Sequence, residues 1–204
     1  MRLGVFGGSF DPVHYGHLLL AEYCRTECRL DEVRFVPTAV APHKQHVQTA
    51  AANHRVEMLQ LALGGHPHLA VSLLEIQRGG VSYTVDTLET LYQEDPHRQL
   101  FLLLGADSLT DVPNWKNPGR ICELATLVTV RRADTPQLDF GCLAPFASPA
   151  QIDACRQHQV QMPLIELSST VIRQRVAAGL SIRYHTPRAV EKYIQHHQLY
   201  ASAD

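Results

Sequence analysis

His14 and His17 stand three residues apart in the stretch GGSFDPVHYGH, directly behind the first apolar run of the chain. At a helix start that spacing sets two imidazoles on one face of the first turn, and Gly16 between them leaves the backbone open. Imidazole N–H groups and the free backbone N–H groups of a helix N-terminus together make an anion site, suited to phosphate. Zinc is the other chemistry that two histidines offer, but no carboxylate or cysteine stands beside them at ligand spacing. The pair Gly7 and Gly8 taken alone marks a tight strand-to-helix turn, since G-x-G-x-x-G is missing.

Further candidates lie downstream. SSTVIR, residues 168–173, sets hydroxyls at a helix start and Arg173 one turn on; by itself it reads as an ordinary cap and an exposed arginine. In GADS, Asp107 follows the most continuous apolar run and can cap a helix. APHK places His43 and Lys44 in a long loop, where a lysine is usually solvated. Trp115, the only tryptophan, reads first as a core residue.

Short β-rich runs alternate with helical ones along the chain. Strands are expected over 2–6, 33–36, 69–74, 100–104, 126–130 and 164–167. Helices are expected over 18–28, behind Asn53 as cap of HRVEMLQLAL, and in SYTVDTLETLYQE behind a Ser or Thr cap with Asp86 in the first turn. Others start at Asn117-Pro118, Ser148-Pro149, residues 168–170 and Thr186-Pro187, while 38–52 is a loop of functional length. This rhythm predicts an α/β fold: a single doubly wound, mostly parallel sheet with helices on both faces. It forms one domain over 1–204, with a helical part over about 168–204 packed on it. Ligands of such sheets bind beyond the carboxyl ends of the strands, so GGSFDPVHYGH, GADS and SSTVIR should share one rim.

Eighteen Lys and Arg against 20 Asp and Glu leave a net charge of -2, which gives no general attraction to nucleic acid or to an anionic membrane. An anionic ligand therefore needs a local cluster of donors. Five cysteines without a C-x-x-C pair fit a reduced, cytoplasmic setting, with Cys24 and Cys28 as small apolar residues of a helix. No signal-peptide pattern opens the chain, and no apolar run approaches the roughly 20 residues of a membrane span. A homo-oligomer is compatible with all of this.

GGSFDPVHYGH resembles the first signature of the nucleotidyltransferase superfamily named for its His-x-Gly-His motif, here residues 14–17. SSTVIR resembles the second signature, Ser-Ser-Thr-x-x-Arg. APHK, SYTVDTL, GADSL with the following Trp115, and the ending YIQHHQLY resemble the bacterial nicotinate-nucleotide adenylyltransferases, so the resemblance spans essentially the whole chain. It implies a Rossmann-like fold and transfer of AMP from ATP to the phosphate of nicotinate mononucleotide, giving deamido-NAD and pyrophosphate in NAD biosynthesis. The substrate phosphate attacks in line with no covalent enzyme intermediate, which asks for positioning and charge stabilisation.

The resemblance also implies roles. His14 and His17 contact the ATP phosphates, His17 stabilises charge in the transition state, and a histidine beside a polyphosphate can gain a proton. Ser169, Thr170 and Arg173 hold the β and γ phosphates, Asp107 takes ribose hydroxyls, and Gly7, Gly8, Ser9, Phe10, Gly16, Gly105 and Ser168 complete the ATP site. Lys44 with His43 closes over phosphates; the usual two prolines before this pair are here Ala41 and Pro42. Trp115 stacks on the pyridine ring, and amides near Thr84 and Lys116 receive the nicotinate carboxylate. Mg2+ arrives with ATP, held by phosphate oxygens and water and not by a protein metal site. Sister enzymes acting on nicotinamide mononucleotide or phosphopantetheine, a non-catalytic nucleotide sensor and a histidine-metal hydrolase are the alternatives. The pantetheine enzymes are shorter and lack the tryptophan segment, and a sensor would have lost one of His14, His17, Lys44 or Arg173.

Overall fold

A computed structural model describes residues 1–40, 50–132 and 138–202. Within them β1 (Arg2–Gly8), β2 (Glu32–Pro37), β3 (Leu69–Val71), β4 (Gln99–Gly105), β5 (Ala125–Arg132) and β6 (Gln159–Met162) form one parallel sheet in the order β3-β2-β1-β4-β5-β6. Leu100, Leu102 and Leu104 of β4 enter one core, and Phe101 and Leu103 enter the other. Burial on both faces is why this strand is an unbroken apolar run and not an alternating one.

One face carries α1 (Tyr15–Glu27), α2 (Ala52–Leu63), α8 (Ser169–Ala177) and α9 (Arg188–His196), which pack Ala21, Cys24, Met58, Leu59, Ile172, Val190 and Ile194 against Phe6, Phe35 and Phe101. The other carries α3 (Leu74–Arg78), α4 (Thr84–Glu94), α5 (Ala106–Asp111), α6 (Pro118–Leu124) and α7 (Pro149–Gln157). The expected helices at Asn117-Pro118 and Ser148-Pro149 are α6 and α7. In α7 the Ser148 N–H donates to Gln151 Oε1 at 2.8 Å, half of a capping box. No helix among the described residues is long and apolar enough to cross a membrane.

Several expected boundaries move. Residues 164–167 are not a strand: the sheet ends with β6, and Pro163 behind it has no N–H to continue the ladder. The third strand stops at Val71, because the chain turns at once into α3, an unexpected helix that buries Glu75. Asn53 does not cap α2. The cap is Ala51, whose carbonyl takes the Arg55 N–H at 3.2 Å, so the helix starts before the asparagine. No Ser or Thr side chain caps α4 either; Tyr83 stands at the cap, and the Ser82 hydroxyl accepts the Ala39 N–H at 2.9 Å. α1 begins at Tyr15 with His14 as cap, three residues ahead of the expected start.

From β1 the chain winds outward to β2 and β3 and then returns to β4 on the other side of β1. The crevice beyond the carboxyl ends of β1 and β4 is therefore the switch point of the sheet.

Candidate functional site

GGSFDPVHYGH leaves β1 at this crevice. Phe10 adopts φ 48° and drops its ring into the core, 2% exposed, with centroids 5.3 Å from Phe6 and 5.4 Å from Phe35. Gly8 packs closely above it, since a Cβ there would lie 3.0 Å from that ring. Beyond the loop the His14 and His17 imidazoles stack with centroids 3.7 Å apart and planes 22° apart. A Cβ on Gly16 would lie 3.0 Å from His14 Nδ1, so the glycine is what lets the imidazole pack so close to the helix.

The His14 backbone N–H donates to His17 Nδ1 at 3.3 Å. That bond assigns the ring proton of a neutral His17 to Nε2, making Nε2 a donor. His14 is 6% exposed, and burial pushes its imidazole down to about 4. The expected protonation beside a polyphosphate is thus opposed at His14 by desolvation.

The same shift fixes a stability trend. The unfolded chain takes up the His14 proton near 6.5 and the folded chain only near 4, so stability falls as pH is lowered through that window. By pH 5 the loss is about 2 kcal/mol. Urea unfolding at pH 7 and pH 5 checks this: the difference between the two pH values should shrink by about that amount in His14→Gln.

Two cavities flank the crevice and share Gly105. One, of about 420 Å³, is lined by Gly7, Gly8, Ser9, Thr84, Trp115 and Lys116 among others. The second, of about 210 Å³, is lined by His14, Gly16, His17, Gly105, Asp107 and Leu167 among others. Trp115 is half-buried at the first, and Asp107 is exposed in the first turn of α5 at the second. Lys116 Nζ pairs with the Asp86 carboxylate at 2.9 Å and lies 4.6 Å from the centre of the Tyr83 ring. His43 and Lys44 fall outside the described residues.

The downstream motif packs directly on the loop. Ser168 caps α8 by accepting the Val171 N–H at 3.2 Å, and the Ser169 hydroxyl donates to the Pro12 carbonyl at 2.9 Å. Arg173 donates to the Asp11 carbonyl at 2.7 Å and, through Nη2, to Thr170 Oγ1 at 3.4 Å. Its side chain lines a third cavity with Ala50 and Tyr200 and does not line the one that holds His14 and His17. GGSFDPVHYGH, GADS and SSTVIR thus share one rim, with the hydroxyls and the guanidinium of SSTVIR bonded within the chain.

Sequence reasoning missed the groups that hold the loop. Arg55, 3% exposed, donates to the carbonyls of Ser9 at 2.9 Å, Thr38 at 2.8 Å and Ala50 at 3.1 Å. Asp11 accepts from the Tyr200 hydroxyl at 2.6 Å, and the Thr186 hydroxyl donates to Val13 at 2.7 Å. In the sequence Arg55 is one more polar residue of an amphipathic helix, and its carbonyl partners carry no residue-type signal. Cys24 lies within α1 and Cys28 is its C-cap, one residue beyond the helix in which both were expected; both are buried, and burial raises both thiols.

Comparison with known proteins follows the same lines. Residues 5–175 match the family described as Cytidylyltransferase-like. The chain is 44% identical over 204 residues to a Thermomicrobium roseum protein named "Probable nicotinate-nucleotide adenylyltransferase", covering 100% of this chain and 93% of that one. It is also 44% identical over 200 residues to a Thermus thermophilus protein of the same name, covering 98% and 100%. In structure it resembles the Plasmodium falciparum nicotinic acid mononucleotide adenylyltransferase complexed with NaAD, with a TM-score of 0.77 over 98% of this chain and 97% of that chain. At 18% identity that likeness concerns the fold.

Proposed function

The chain belongs to the Cytidylyltransferase-like family and, within it, to the nicotinate-nucleotide adenylyltransferases, and from that membership we propose that it transfers the adenylyl group of ATP to nicotinate mononucleotide, releasing pyrophosphate and nicotinate adenine dinucleotide. One observation carries the reading at the level of the site. Two cavities meet at the switch point of the sheet, one bounded by an aromatic platform and a helix N-terminus, the other by two stacked imidazoles.

The mononucleotide takes the Trp115 cavity. Its ring lies against the indole, and its carboxylate meets the amide end of α4 at Thr84 and the backbone at Lys116, where the helix dipole favours an anion. ATP takes the cavity of His14, Gly16 and His17, with its ribose hydroxyls within reach of the Asp107 carboxylate. The two phosphates then converge beside Gly7, Gly8, Ser9 and Gly105. The mononucleotide phosphate oxygen attacks the α-phosphorus, the bond to the bridging oxygen breaks, and pyrophosphate leaves with that electron pair. His17 Nε2–H donates to the charge that builds up in this step. The backbone N–H groups opening α8 and the cations Lys44 and Arg173 balance the remaining phosphate charge; Arg173 must turn from Asp11 to do so.

Mg2+ is part of the proposal as the companion of ATP. Among the described residues no three His, Cys, Asp or Glu side chains converge as metal ligands, and Asp107 is the carboxylate at the ATP cavity. Phosphate and water oxygens would be the ligands of Mg2+, and bound there it offsets phosphate charge. The reaction is placed in the cytoplasm, where the five free cysteines stay reduced.

An assay of pyrophosphate release with ATP, Mg2+ and each mononucleotide tests the function. Nicotinate mononucleotide is expected to exceed nicotinamide mononucleotide in kcat/KM by about tenfold, since a carboxylate gains more than a carboxamide from the amide end of α4. Release that needs no mononucleotide, or none at all, removes the reading. Gly16→Ala, which drives a Cβ towards His14 Nδ1 and so disturbs the imidazole stack, is expected to lower kcat by about 10- to 100-fold. Single-turnover rates at saturating substrates check this.

A further inference from the structure

The Trp115 cavity holds an acidic side chain that the proposed reaction leaves unused. Glu75, on α3, is 4% exposed and lines this cavity with Ser82, Tyr83 and Thr87. Its Oε1 accepts from the Thr87 hydroxyl at 2.6 Å, and Thr87, 2% exposed, in turn accepts from Arg78 Nη2 at 3.1 Å. Oε2 is buried and has no hydrogen-bond or ion-pair partner among the described residues. Among the described residues the cation lining the cavity is Lys116, which is already paired with Asp86, and exposed Arg78 reaches the acid through Thr87. A buried carboxylate left this way is costly unless a ligand brings the matching charge.

The proposed occupant brings one. The glycosidic bond to the ring nitrogen of a pyridine mononucleotide makes that ring a pyridinium cation, flat and poorly hydrated, and such a cation is favoured by an indole face and by a nearby carboxylate. We infer that Glu75 is a specificity-determining residue, the counter-charge of the pyridinium ring, and that with Trp115 it selects cationic, oxidised pyridine mononucleotides over neutral rings. This rests on the reading that the mononucleotide occupies the Trp115 cavity. The neutral probe is the 1,4-dihydropyridine form of nicotinate mononucleotide, which keeps ribose, phosphate and carboxylate but loses the ring charge together with the aromaticity, so the change of ratio in Glu75→Gln isolates the charge.

The test compares kcat/KM for nicotinate mononucleotide and its dihydro form in the unmodified protein, in Glu75→Gln and in Thr87→Val. The unmodified protein is expected to favour the oxidised form by about tenfold or more. Glu75→Gln, which keeps an acceptor for Thr87 and loses the charge, should raise KM for the oxidised form and bring the ratio close to one, with KM for ATP unchanged. Thr87→Val, which loses the hydrogen bond and keeps the charge, should preserve the ratio. A purely structural glutamate would lower both activities together in Glu75→Gln and leave the ratio intact, which overturns the inference. Equal use of the two forms by the unmodified protein overturns it without any variant. Absence of turnover with either form overturns instead the function on which it rests.

Discussion

His17→Ala is expected to lower kcat by about 10²–10³, the usual cost of losing one donor to the charge of a transition state. His17 is the third residue of α1, and its Nδ1 is held by the His14 N–H, so the donor atom Nε2 is fixed by a bond that needs no ligand. A group placed in this way acts on the transition state more than on either substrate, so both KM values should change little. The fold should survive: the bond of 3.3 Å at a helix end is worth about 1 kcal/mol, and the stacking on His14 is a ring contact of about the same size. Rapid-quench kinetics would read the chemical step directly, and a rate equal to the unmodified one would take His17 out of that step. His17→Gln, which can bring an amide N–H towards the same place, should recover part of the rate.

The second large effect belongs to a residue outside the motifs. Arg55→Leu should destabilise the protein by about 3–5 kcal/mol, because three carbonyls, those of Ser9, Thr38 and Ala50, lose a charged donor together. Ser9 belongs to the phosphate loop, and Thr38 and Ala50 flank the segment that carries His43 and Lys44. The folded fraction should therefore also show a raised KM for the mononucleotide. Arg55→Lys does not rescue, since one ammonium on a flexible stem cannot reproduce a planar fork that reaches three carbonyls in different directions. Urea unfolding supplies the stability term, and a stability within about 0.5 kcal/mol of the unmodified protein, as for an ordinary surface substitution, would show that solvent or other donors satisfy these carbonyls.

The sequence by itself determined five of the six strands and the loop that carries two histidines at their rim. Strand runs such as FLLLG and helix starts such as Ser148-Pro149 follow from local patterns, because burial on two faces and the capping of free N–H groups leave signatures within a few residues. The motif GGSFDPVHYGH was legible for the same reason: the histidines, Gly16 and the turn that presents them are neighbours in the chain. The sixth strand, by contrast, was expected over 164–167 and lies before Pro163, since a missing donor outweighs hydrophobic pattern at a sheet edge.

Only the tertiary structure decided which distant groups meet. Arg55, Arg173 and Tyr200 all converge on the loop over 9–11, and Glu75 lines the Trp115 cavity from a helix that the pattern of strands gave no reason to expect. Their partners are mostly backbone carbonyls, which every residue type offers alike, and their burial comes from crossovers that bring chain segments up to 189 positions apart into contact. Side-chain type tells what a group can do. Whether an arginine faces solvent or three carbonyls depends on long-range packing, and no local pattern carries that information.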